Sequence, residues 1–304
     1  VTDSAWRQPA VRCAVAAQER ADTMPGTAAP AAGFLLIEQP GGWGRQALTE
    51  SQLDPRVGAG VSARAIALGL RALLIRRPDR RSGLSLPSGR RRWAVVSSRS
   101  GREQTWWGDF GADDELLTLP LDGSAGEASE EPFFLVCTHA RHDTCCAVDG
   151  RPVAAALQRA APGRTWECSH VGGDRFAANV VALPHGIYYG RVQRDDAGEL
   201  VAAHDRGDLV TRLLRGHSTA PPAAQAAVVE MRRRLGIAAL DALPPAGTIQ
   251  LGRGRWQVRL RHHPRHLIVT LQASAGPEAG LLTCHARRAA HPPRWEVLSV
   301  TEVE

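Results

Sequence analysis

Two stretches carry the residue types that do chemistry: "FFLVCTHARHDTCCAV" over 133–148 and "WECSHVGGDRF" over 166–176. They hold Cys137, Cys145, Cys146 and Cys168, four of the chain's six cysteines, with His139, His142 and His170. Thiols and imidazoles at this density have three chemical uses: a metal centre, thiol–disulfide exchange, or a nucleophile with its base. Cys137 and Cys146 bracket eight residues, a span that wraps a cluster rather than pinching a single ion. The second stretch offers Cys168, His170 and Asp174 beside Gly172 and Gly173. Glycine lets backbone N–H groups approach a bulky inorganic core. Zinc sites favour closely spaced cysteine knuckles, and the sequence has none, so thiolate with imidazole on a wide loop points to an iron–sulfur cluster.

The rival uses are weaker. Adjacent Cys145 and Cys146 bond to each other only with strain, and Cys-x-x-Cys is absent. A cysteine nucleophile with His170 as base lacks a visible orienting group and oxyanion site. His139 and His142 sit inside the first loop, available as ligands or as hydrogen-bond donors to sulfide. His185 reads as a surface residue in a turn. Cys284, in "LLTCHARR", stands apart and reads as a small buried hydrophobe.

The elements that must position these residues fall into three blocks. In the first, "FLLIE" (34–38), "RALLIRR" (71–77), "RWAVVSS" (92–98) and "QTWWGDF" (104–110) read as strands. A helix follows Val61, with Ala65 and Leu68 on its apolar face. The polar "LDGSAGEASEE" (121–131) reads as a linker. The second block opens on the buried-strand run "PFFLV" (132–136). It continues through the cysteine loop to a helix with Val153, Ala156, Leu157 and Ala160 on one face. A strand over 165–168, a hairpin over 179–192 turned at Pro184-His185-Gly186, and a helix over "AGELVAAHDRG" follow. Both blocks run strand, loop, helix, strand and two more strands, which suggests a duplicated unit with cysteines in the second copy only. The third block holds a helix over 222–235 and strands over 255–261, 267–272 and 294–300. The expected domains are thus 1–128, 129–217 and 218–304.

"CTHARHDTCCAVDGRPVAAAL" followed by "SHVGGDRFAANVVALPHGIYYGRV" resembles the sucrase/ferredoxin-like family, a branch of the thioredoxin-like ferredoxins. A looser likeness extends through "PGTAAPAAGFLLIEQPGGWGRQAL". The resemblance implies an α/β (α+β) chain. Its centre would be a thioredoxin-like ferredoxin domain, preceded by a degenerate similar domain and followed by a small C-terminal α+β module. It also implies a [2Fe–2S] cluster and electron transfer with a redox partner protein. In the family's better-understood branch the ligands are two cysteines around eight residues and two histidines in an H-x3-H loop. Carried over, the cysteines fall on Cys137 and Cys146 and the first histidine on His170. The second falls on Asp174, where the pattern breaks. Cys168 is the preferred replacement, since carboxylate is a hard ligand for cluster iron. Should Cys168 point away, Asp174 or Cys145 takes its place. A histidine ligand predicts a potential above that of an all-cysteine site, pH-dependent near neutrality, with loss of the cluster in mild acid.

Composition sets the outer limits. With 43% hydrophobic and 22% charged residues, the chain belongs to folded rather than disordered proteins. The net charge of +6 is carried by arginine alone, since the sequence contains no lysine. Arginine clusters at 76–81, 89–93 and 253–266 read as solvated surface or as contacts for an acidic partner, with Arg141, Arg151 and Arg175 nearer the cysteines. No nucleic-acid motif accompanies them. The absence of an apolar span and of a leader pattern predicts a cytoplasmic protein without a membrane span. "GGWG" and "GRGRW" do not fit a dinucleotide fingerprint, and no carboxylate pair for glycoside hydrolysis stands out. The resulting expectation is an intracellular [2Fe–2S] electron carrier. A metal- or redox-sensing regulator, or a thiol oxidoreductase using Cys145 or Cys146, stands as the alternative.

Overall fold

Strands and helices follow the apolar patterning in the residues that the computed structural model describes, 11–78 and 89–304. Asp79, Arg80 and Arg81 of the first arginine cluster lie outside the described residues. After α1 (Cys13–Glu19), the apolar β1 (Gly33–Glu38) is buried through Ile37. A short α2 (Ala47–Glu50) precedes α3 (Pro55–Ala67). Asp54 caps α3: its Oδ1 accepts from the N–H of Arg56 at 2.7 Å and of Val57 at 3.4 Å, with Pro55 in the first turn. β2 (Leu70–Arg76) returns parallel to β1, and β3 (Arg91–Ser97) and β4 (Gln104–Phe110) add antiparallel. Beyond α4 (Glu115–Thr118), β5 (Glu127–Ser129) pairs with β4. β5 falls in the stretch expected to be a linker. At a sheet edge one face stays wet, so polar residues can form a strand there without an apolar pattern.

The same order then repeats. β6 (Phe133–Cys137), α5 (Thr144–Ala160) and β7 (Thr165–Cys168) form a second parallel unit. β8 (Val180–Leu183) and β9 (Ile187–Tyr189) follow, then α6 (Ala197–Asp205) and β10 (Leu214–His217), each strand antiparallel to its neighbour. Among the described residues these strands make one ten-stranded sheet, ordered β10-β9-β8-β6-β7-β2-β1-β3-β4-β5. Read outward from the centre, both halves have the same topology. They join through the last residues of β2 and β7, Ile75 opposite Cys168 and Arg76 opposite Glu167. The carboxyl ends of both parallel pairs therefore meet at one junction, where open α/β sheets place their ligands.

Alternation along β6 sets which side chains reach that junction. Phe134 and Val136 pack with Val153, Leu157 and Leu200 on the face covered by α5 and α6. Phe133, Leu135 and Cys137 face the other way, with Trp166, Cys168 and Cys146. The mixed α+β class expected from the sequence is the one observed.

The C-terminal module packs α7 (Pro222–Leu235) on a four-stranded antiparallel sheet. Its strands are β11 (Pro245–Gly252), β12 (Arg255–His262), β13 (Arg265–Ala275) and β14 (Pro293–Val303). Between β13 and β14, residues 276–292 carry Cys284. No helix among the described residues is long and apolar enough to cross a membrane.

Candidate metal centre

Cys137 ends β6, and the loop that follows is tied down by its own backbone: the N–H groups of His142 and Asp143 both donate to the carbonyl of His139, each at 3.1 Å. Asp143 then caps α5, its Oδ1 accepting the Cys145 N–H at 2.8 Å. Cys145 and Cys146 thus occupy the first helical turn. One element fixes the distance between Cys137 and Cys146. Gly150 of α5 lies so close to β6 that a Cβ there would stand 2.2 Å from the Cys137 carbonyl oxygen. Gly150→Ala should therefore push α5 off the strand. The expected cost is about 1–3 kcal/mol in denaturant unfolding. Exposed Arg151→Ala, one residue on, should leave stability unchanged, and a Gly150→Ala protein as stable as wild type would refute the packing role.

Opposite, β7 runs out at Cys168, and Gly173, with φ of +80°, turns the chain into a 3-10 turn over Asp174–Phe176. The expected role of the two glycines was close approach to an inorganic core. Their actual neighbours differ: a Cβ on Gly173 would meet the buried Arg215 guanidinium at 2.3 Å, and one on Gly172 would meet Ala29. Arg215 donates to the carbonyl of Gly172 and to Asn179 Oδ1, at 2.9 and 2.7 Å. Burial lowers its pKa to about 10, which leaves it charged behind the loop at neutral pH.

The ligand-type atoms of Cys137, Cys146 and His170 all lie within 4.8 Å of one another, as do those of His142, His170 and Asp174. Asp174 links the two groups. Its Oδ1 is 3.2 Å from Cys146 Sγ and 2.9 Å from His170 Nδ1. Its Oδ2 is 3.9 Å from His142 Nε2. The His142 and His170 rings stack at 3.7 Å. Cys168 stays outside these groups, although it shares the apolar cluster of Cys137 and Cys146 and pairs with Cys137 across the strands. Cys145 turns away as well, toward Cys13 and Cys284. The expectation that Cys284 is an isolated buried thiol meets a different structure: it is buried, but beside two other thiols.

Proton positions follow from these contacts. The hydrogen bond with Cys146 holds Cys137 well below the usual thiol range despite its burial, and raises Cys146 in turn. Burial opposes a charged His170, but Asp174 and Cys137 outweigh it and raise the imidazole to about 9. Burial likewise opposes a charged Asp174, and His170 outweighs it, so the carboxylate stays below its usual value. His142 is pushed down, first by burial and then by the charge on His170. Burial keeps the Cys168 thiol protonated. Without metal, the group is thus a thiolate, a thiol, an imidazolium and a carboxylate.

Sequence reading missed the residues that brace this group, because they come from the first half of the chain. His139 Nε2 lies 3.0 Å from the Trp43 carbonyl and 2.9 Å from that of Gly44, so it carries the proton and donates. His139 Nδ1 then accepts the His170 N–H at 3.3 Å. Both ring nitrogens being engaged, His139 positions His170 rather than ligating. Arg71 donates to the His170 carbonyl at 2.9 Å. The "GGWG" loop, which matches no nucleotide motif, serves as part of this brace. A cavity of about 490 Å³, bordered by Arg45, Arg71, His139, His142 and His170, opens onto the imidazole side. Of the three outlying arginines, Arg175 is buried against Asp22 at 3.4 Å, and Arg141 and Arg151 are exposed.

The donor set fits a thiophilic metal centre. Two buried thiols, an imidazole and a carboxylate converge, and His170 Nδ1 stands 2.9 Å from Asp174 Oδ1, an ion pair whose proton a metal ion would replace.

A family model described as sucrase/ferredoxin-like matches residues 24–216. Among solved structures, a thioredoxin-like [2Fe–2S] ferredoxin from Aquifex aeolicus is similar at 24% identity, over 31% of this chain and 97% of that one, with a TM-score of 0.26. No curated protein matches the chain.

Proposed function

The chain belongs to the sucrase/ferredoxin-like family, and on that premise we propose that it is an electron carrier holding one [2Fe–2S] cluster. Cys137, Cys146 and His170 are three ligands, and Asp174 takes the fourth place that the sequence alone favoured for Cys168. The convergence of these four groups at the junction of the two half-sheets carries the reading. When bound, such a cluster supplies one-electron transfer. The chain's own residues supply the rest. Cys137 and Cys146 are buried, at 1% and 0% exposure, whereas the His170 side chain is 24% exposed at the cavity. The imidazole edge is thus the face offered to a partner and to protons. Arg45 and Arg71 give the cavity rim a positive potential suited to an acidic redox protein. In this reading residues 129–217 supply the ligands, residues 1–128 wall them in, and residues 218–304 add a separate module.

Anaerobic purification, metal and sulfide analysis, and EPR after dithionite test the proposal. The expected protein is red-brown, with two irons and two sulfides per chain and an EPR signal altered by His170→Ala. Colourless protein whose Cys137 and Cys146 hold zinc would make it a sensor instead. Rapid alkylation of the same thiols without metal would point to thiol chemistry.

A further inference from the structure

Four cysteines take no part in the centre described above, and three of them meet elsewhere. Cys13 opens α1, Cys145 sits in the first turn of α5, and Cys284 lies in the 276–292 loop. Distant in sequence, their sulfurs form a near-equilateral triangle: 3.6 Å from Cys13 to Cys145, 3.4 Å from Cys145 to Cys284, and 3.5 Å from Cys284 to Cys13. The Asp143 carboxylate oxygens stand 3.8 and 3.7 Å from the Cys13 sulfur. All four ligand-type atoms lie within 4.8 Å of one another, and all four residues are buried.

We propose that Cys13, Cys145, Cys284 and Asp143 form a second metal site, a structural zinc site that clamps three separate parts of the chain together. A tetrahedral zinc with Zn–S of about 2.3 Å and Zn–O of about 2.0 Å sets sulfur–sulfur edges of about 3.8 Å and sulfur–oxygen edges of about 3.5 Å. The three sulfur–sulfur edges and the approach of Asp143 to Cys13 lie within about 0.4 Å of these. A disulfide would use two of the thiols and leave the third, with the carboxylate, unexplained.

Charge argues the same way. Asp143 Oδ1 and Oδ2 accept the N–H groups of Cys145 and Cys284 at 2.8 and 2.7 Å, which aim the carboxylate without neutralising it. Its burial raises its pKa to about 7, with Asp174 adding to the effect. Arg12, beside Cys13, engages Asp149 at 2.8 and 2.9 Å. A divalent cation supplies the charge that would keep Asp143 and the thiolates ionised out of water. The site fixes the same helical turn that carries Cys146, and it anchors the loop of the C-terminal module to the ferredoxin half.

Elemental analysis and zinc-edge X-ray absorption on the full chain, as isolated, test the site. One zinc per chain is expected, with three sulfur neighbours at about 2.3 Å and one oxygen at about 2.0 Å. Cys13→Ser and Cys284→Ser should each lose the zinc and retain iron and colour, while Cys137→Ser loses iron and keeps zinc. Zinc that follows Cys13 and Cys284 in a protein devoid of iron would uphold the site and sink the cluster proposal. Four outcomes overturn the site: no zinc as isolated, zinc retained by both variants, an edge spectrum without sulfur, or a disulfide joining any two of the three. The wild-type edge spectrum decides the matter if a variant fails to fold.

Discussion

Cys146→Ser should give a colourless protein that no longer retains iron, whereas Cys168→Ser should keep both its iron and its colour. Cys146 is fully buried in the first turn of α5, 3.2 Å from Asp174, where its thiol faces the other converging groups. A serine hydroxyl there is neither soft nor ionised. The loss should exceed the roughly 10–100-fold in affinity that removal of a mere supporting partner costs a metal site. Asp174→Ala should resemble Cys146→Ser in direction. Circular dichroism and thermal melting establish that each variant is folded. Colour lost in Cys168→Ser and kept in Asp174→Ala would return the fourth ligand to Cys168, the choice that sequence pattern favours.

As pH rises from about 6.5 to about 9 the metal-free protein should bind iron more tightly while its stability stays nearly level, because the His170 and Cys137 contributions change in opposite directions. The folded-state pKa of His170, raised to about 9, stands above its ordinary 6.5. Its stabilising contribution is complete below about 6.5 and is lost as pH rises through about 9; at about 1.36 kcal/mol per unit it amounts to at most about 3 kcal/mol. Asp174 has the opposite sign. Its folded pKa is depressed, so its contribution is present above the ordinary carboxylate range and is lost as pH falls. Metal must displace the protons of His170 and Cys146, so loading with ferrous iron and sulfide should tighten by at least about tenfold per pH unit up to about 9. His170→Ala should flatten the loading curve and leave stability rising with pH through the Cys137 thiolate. Urea titrations of the metal-free protein and loading curves, each across this range, provide the check. A flat loading curve would contradict the assigned proton positions.

Much of this was legible in the chain itself, for identifiable reasons. Fully buried strands such as "FFLVC" and "FLLIE" announce themselves as short apolar runs, and α5 by its apolar face at helical spacing. The repeated order of elements is visible because each half alternates in the same sequence. β5 was not legible, since a polar edge strand has no periodic signature. At the site, Cys137, Cys146 and His170 stood out by type and spacing. Arg71, Trp43 and Gly44 did not, because two of the three act through backbone carbonyls and all come from the other half of the sheet. Cys13 and Cys284 were beyond reach for another reason. Nothing local marks two lone cysteines, at opposite ends of a chain, as neighbours of Cys145.

The junction of β2 with β7 has a consequence for how the molecule can vary. Because the carboxyl ends of both half-sheets meet there, the first five strands contribute none of the proposed cluster ligands yet border the partly exposed one among them. They form the environment of the other half. The repeated topology thus separates two kinds of change: for the proposed cluster, substitutions in residues 129–217 act on the ligands, whereas those at Trp43, Gly44 or Arg71 act on how water and fields reach them.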